Sequence, residues 1–143
     1  MFLDASIIVA ILGREAGYEE IEKRLASAEG TFFVSPLVKF EASVSLARLK
    51  AGTARPKGKK PSTALLRQAV KAVDVFVTDL AAEEVSISPE IGKVAVKASI
   101  MYGKVVGHRA DLNFGDCFAY ACAKTLNVAL LYKGDDFLHT DLA

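Results

Sequence analysis

The chain alternates short apolar runs with longer segments in which apolar residues recur every three or four positions. A short run buried on both faces suits a parallel strand, and the longer spacing marks one face of a helix. The opening MFLD predicts a strand with Asp4 at its end, followed by a helix from Ser6 to near Gly13. Ile21 and Leu25, set among charged residues, predict a helix over 18–28. TFFV, residues 31–34, reads as a second strand. Ser35 and Pro36 supply an N-cap and a first-turn proline for a helix that carries Glu41 and ends near Lys50. Residues 51–63 combine Gly, Pro and cations and read as a loop. A helix is then expected over 64–73, a third strand over 75–77, and helical segments over 80–85 and 90–102 with a break at Ser88 and Pro89. Residues 103–113 read as a loop, 116–126 as a helix, 128–131 as a fourth strand, and the tail from Lys133 as irregular.

Short, mostly apolar strands alternating with helices predict an α/β fold, with a central parallel sheet covered by helices on both sides. The length of 143 residues suits a single domain over 1–143. Apolar residues make up 52% and charged residues 24%, which excludes a disordered chain. No apolar run approaches the roughly 20 residues of a membrane helix, so no membrane role is expected. The apolar start has no basic flank and is interrupted by Asp4, unlike a targeting segment. Cys117 and Cys122 fall on different faces of one helical stretch, which predicts reduced, buried thiols in a cytoplasmic protein. The net charge is +1, so any nucleic-acid footprint must be local.

In an open parallel sheet, sites form beyond the carboxyl ends of the strands. Asp4 closes the first strand, Glu41 lies on the helix after the second, Asp116 begins the helix leading to the fourth, and Asp135 and Asp136 follow that strand. Each has a structural alternative. Asp4 reads equally as a helix N-cap, Asp116 as a first-turn carboxylate favoured by the helix dipole, and Asp135 and Asp136 as turn residues after Gly134. Their joint placement carries the weight. Clustered carboxylates raise one another's pKa unless a cation neutralises them. An oxygen-only set without His or Cys suits Mg²⁺ or Mn²⁺, and such a centre suits phosphodiester hydrolysis. His108 and His139 sit in loops with no partner at metal-ligand spacing and read as structural or surface residues.

The segments FLDASIIVAIL, VSPLVKFEASVSL, LNFGDCFAYACAK and LLYKGDDFLHTDL together resemble the four motifs of the PIN-domain family, in order and across nearly the whole chain. NFGDCFAYA and KGDDF at this spacing resemble in particular the VapC-type toxins. The resemblance implies a three-layer α/β/α sandwich, a Mg²⁺-dependent endoribonuclease, usually a homodimer, and a neighbouring antitoxin that inserts near the active site. It implies RNA substrates, often structured ones such as tRNA. Matched to the motifs, Asp4, Glu41 and Asp116 are the metal-binding acids, with Ser6 supporting the first and Asn113 belonging to the third motif. For the fourth acid, many relatives place an Asp three residues before a Phe. Here Asp135 and Asp136 precede Phe137 by two and one. The turn at Gly134 makes Asp135 the expected metal-facing acid and leaves Asp136 a supporting role.

Three other readings compete. A phosphatase of the haloacid dehalogenase type would want an Asp two residues after Asp4, where this chain has Ser6. A PIN-domain nuclease of RNA processing and a non-catalytic binding module are the other two. The basic run Arg55, Lys57, Lys59 and Lys60, and a looser group of Lys104, His108 and Arg109, are the candidate RNA contacts.

Overall fold

Strand β1 (Phe2–Leu3) lies at the centre of a four-stranded parallel sheet of order β3-β2-β1-β4. The computed structural model describes residues 1–52 and 60–143. Phe2 pairs with Phe33 of β2 (Phe33–Val34) on one side and with Leu130 of β4 (Leu130–Leu131) on the other. Phe2, Leu3, Val34 and Leu131 are fully buried, which is why these strands read as unbroken apolar runs.

Among the described residues, six helices surround the sheet: α1 (Ala5–Gly13), α2 (Tyr18–Ser27), α3 (Pro36–Lys50), α4 (Thr63–Asp79), α5 (Pro89–Tyr102) and α6 (Phe114–Leu126). Helix α3 packs on α1 and α4, and α5 packs on α6, which gives the three-layer α/β/α architecture expected from the sequence. The helix starts follow local chemistry. Ser35 and Ser88 each precede a first-turn proline, and each hydroxyl accepts the N–H three residues on, from Val38 and Ile91. Cys117 and Cys122 are buried free thiols on α6, as expected.

Two sequence-based expectations fail together. Residues 75–77 are not a strand; they close α4, whose buried Ala69, Val73 and Val77 recur every four residues. A run of β-branched residues satisfies both periods over three positions, and only the longer spacing separates them. Residues 80–85 are not helical either. Leu80 caps α4, Ala81 turns the chain at φ +51, and Glu83–Glu84 forms β3. This strand is exposed and acidic, without an apolar signal. Its extension comes from backbone pairing at the sheet edge, where Glu83 N–H donates to Phe32 O and Val85 N–H to Val34 O, each at 2.8 Å. Lys39 ties that edge to the helices, with Nζ 2.9 Å from Asp74 and 3.0 Å from Glu84. Among the described residues, no helix is long and apolar enough to cross a membrane.

Candidate metal-dependent active site

The carboxyl ends of β1 and β4 open into one cleft, whose lining includes Asp4, Ser6, Glu41, Asn113, Asp116 and Asp136. Asp4 leaves β1 and is the N-cap of α1. Its Oδ2 accepts from Ser6 N–H at 2.9 Å and from the Ser6 hydroxyl at 2.5 Å. Ser6 Oγ in turn accepts from Lys133 N–H at 3.0 Å, so one hydroxyl fixes the first carboxylate and joins it to the exit of β4. Capping and cleft-lining therefore coexist at Asp4.

Asp116 also serves twice. It closes a capping box at the start of α6: its Oδ2 accepts from Asn113 N–H at 2.7 Å, while Asn113 Oδ1 accepts from Gly115 N–H at 2.7 Å and Asp116 N–H at 3.2 Å. Asn113 thus holds the turn that sets Asp116 at the cleft. Glu41 reaches the same space from α3, past Gly115 on α6, where a Cβ would overlap its carboxylate. The NFGD segment contains this glycine, but its role becomes visible only once α3 and α6 are packed together.

The tail places the two candidate fourth acids differently. Asp136 lines the cleft, and Asp135 is not among its lining residues. Gly134 turns at φ +105, and a 3₁₀ turn spans Asp136–His139. Phe137 is buried there, its ring 4.9 Å from Tyr132. Anchored in the core, Phe137 holds its neighbour Asp136 at the cleft edge.

The electrostatics follow from burial and proximity. Burial raises the Asp4 carboxyl above its usual value despite the Ser6 hydrogen bonds, and the nearby Asp136 raises it further. Burial and then Asp4 raise Glu41. Asp116 is pushed up to about 7, by burial first and then by Asp4, Asp136 and Glu41. These carboxylates feel one another as like charges in a partly dry cleft. At the rim, Lys133 Nζ meets Glu15 at 2.7 Å, a pair that sequence reading did not find.

Among the described residues, no three of His, Cys, Asp or Glu form a ready-made ligand cage. The donor chemistry nonetheless fits a hard divalent cation: of the five carboxylates lining the cleft Glu15 is paired with Lys133 and four are left as donors, no His or Cys is in the lining, and a glycine leaves room for Glu41. The histidines lie elsewhere; His108 Nδ1 accepts from Ala110 N–H, and its ring meets Tyr102 edge-on. Of the basic groups, Lys104 pairs with Asp111 at 3.2 Å, and Arg55, Lys57 and Lys59 lie outside the described residues.

A PIN-domain family model matches residues 1–142. The chain belongs to the PIN-domain family. This PIN domain is 51% identical over 141 residues to a VapC ribonuclease of Rhizobium meliloti (strain 1021), covering 99% of this chain and 98% of the relative. It is 32% identical over 143 residues to Ribonuclease VapC30 of Mycobacterium tuberculosis (strain ATCC 25618 / H37Rv), covering 100% and 96%. Among solved structures, the Sarcin-Ricin loop cleaving toxin VapC20 of Mycobacterium tuberculosis matches at a TM-score of 0.71 and 16% identity, over 99% of this chain and 95% of its own. A toxin–antitoxin complex from Klebsiella pneumoniae matches at 0.63 and 15%, over 98% and 92%. These structural likenesses carry the PIN fold, and the sequence relatives carry the family.

Proposed function

We propose that this PIN domain is a metal-dependent endoribonuclease and the toxin of a toxin–antitoxin pair, blocking translation until a cognate antitoxin neutralises it. One observation carries the reading: Asp4, Glu41, Asp116 and Asp136 come from four separate stretches of chain to one cleft at the strand ends. The relatives named VapC ribonucleases support RNA as the substrate, and the toxin–antitoxin complex among the structural neighbours supports a protein partner.

The four carboxylates would hold Mg²⁺ or Mn²⁺. When bound, such an ion orients and ionises a water and offsets charge growing on the phosphate oxygens. The chain's own residues prepare that chemistry. Ser6 and Asn113 fix the carboxylates of Asp4 and the turn before Asp116, so the ligand oxygens are oriented before binding. The raised pKa of Asp116 makes ion binding compete with protons near neutral pH. Lys133, held at the rim by Glu15, offers a cation beside an otherwise acidic cleft through which a polyanion must pass.

The test is cleavage of RNA by the purified protein with Mg²⁺ or Mn²⁺, beside EDTA and an Asp116→Asn control. Cleavage by the wild type with either cation, and by neither control, is expected. Equal cleavage in EDTA would remove the metal from the mechanism. Growth arrest on expression, relieved by co-expressing a DNA-binding protein encoded next to it, tests the toxin role.

A further inference from the structure

We propose that Phe40 and Phe114 form a stacking subsite for a nucleobase of single-stranded RNA beside the acidic cleft, an inference that rests on the nuclease reading above. Most aromatic rings of this chain are buried or half-buried. Among the described residues only Phe40 and Phe114 are exposed aromatics, at 69% and 70%. Both line one groove of about 380 Å³ between α3 and the start of α6. That volume lies at the lower end of the range for small-ligand sites, roughly 300–1,000 Å³.

The groove is continuous with the active site. Glu41 lines both, Phe40 is its neighbour in the chain, and Phe114 stands two residues before Asp116. On α3 the wall continues through Leu37, Val44 and Arg48. Apolar side chains therefore flank the rings, and an exposed guanidinium stands on the same wall, where a backbone phosphate would need a cation. Behind the rim, Phe118 packs against Phe114 with ring centroids 4.9 Å apart, which backs the exposed ring. An aromatic face, an apolar floor and an arginine next to phosphodiester chemistry match a nucleotide with its base unstacked from its neighbours. A double-helical substrate keeps its bases stacked on one another, so the subsite selects single-stranded or looped RNA.

The experiment uses a short single-stranded oligoribonucleotide and a set of copies with one abasic position moved along it. Cleavage kinetics are measured for wild type, Phe40→Ala, Phe114→Ala and the matching Phe→Tyr variants. Stacking on one ring supports an expected rise in KM of about tenfold for each Ala variant, with kcat falling much less and Tyr restoring KM. In the wild type, one abasic position near the cut should carry a similar penalty, and that penalty should vanish in the Ala variants. Unchanged KM in both Ala variants, or an abasic penalty that persists in them, overturns the proposal. So does a result in which the Ala variants cleave normally but lose affinity for a protein partner, because the groove then belongs to that partner. A wild type inert with either cation overturns the nuclease reading itself. Fluorescence anisotropy with the same labelled oligonucleotides then still decides the subsite, and equal affinity of wild type and Ala variants rejects it.

Discussion

Gly115 lets Glu41 reach the acidic cleft: a Cβ at position 115 would overlap the Glu41 carboxylate. The atoms in conflict are the far end of a flexible side chain, so the carboxylate can swing aside without moving α3. Gly115→Ala is therefore expected to cost little stability, under about 1 kcal/mol by thermal melting. Cleavage should fall by about 100-fold, the scale of a 1 Å misplacement in a catalytic group. A large drop in melting temperature with retained cleavage would show that the glycine serves packing alone.

Asp116→Asn should abolish cleavage and flatten the pH dependence of stability measured in EDTA. The Asp116 pKa is raised from 3.8 to about 7 in the folded protein. Between those values the folded state holds the proton more tightly than the unfolded one, so stability falls as pH rises through that window and then levels off. Asp4 and Glu41, also raised, add to the same slope. The Asn variant lacks the Asp116 contribution and should melt higher than wild type above pH 7. A variant with an unchanged slope would show that neither burial nor the neighbouring carboxylates raise Asp116.

Asp136→Asn should cost more activity than Asp135→Asn, by about tenfold or more. The reason is position: Asp136 lines the cleft beside Asp4 and Asp116, and Asp135 does not. Mg²⁺-dependent cleavage by the two variants decides it, and a larger loss at Asp135 would reverse the assignment.

Added Mg²⁺ or Mn²⁺ should raise the melting temperature at neutral pH, because it binds carboxylates that repel one another in the folded state. At a hundredfold excess over Kd the stabilisation is about 2.7 kcal/mol, on the order of 10 °C for a chain of this size. Asp116→Asn should lose most of that shift. No shift in wild type with either ion would argue against a carboxylate metal centre.

The sequence by itself determined what depends on neighbours in the chain. The buried runs at β1 and β4, the Ser-Pro starts of α3 and α5, and the candidacy of Asp4, Glu41 and Asp116 all follow from local periodicity, capping chemistry and position at strand ends. Tertiary structure decided what depends on distant partners. Glu83 and Glu84 become a strand because β2 offers an open backbone edge, while Val75 and Val77 remain in α4 because a buried stripe spaced by four overrides their β-branched character. Asp136 rather than Asp135 lines the cleft because the burial of Phe137 fixes which way the tail folds back. The roles of Gly115, Lys133 and the exposed pair Phe40 and Phe114 arise where separate elements meet. Periodicity assigns a residue to a face, but only packing determines what that face meets.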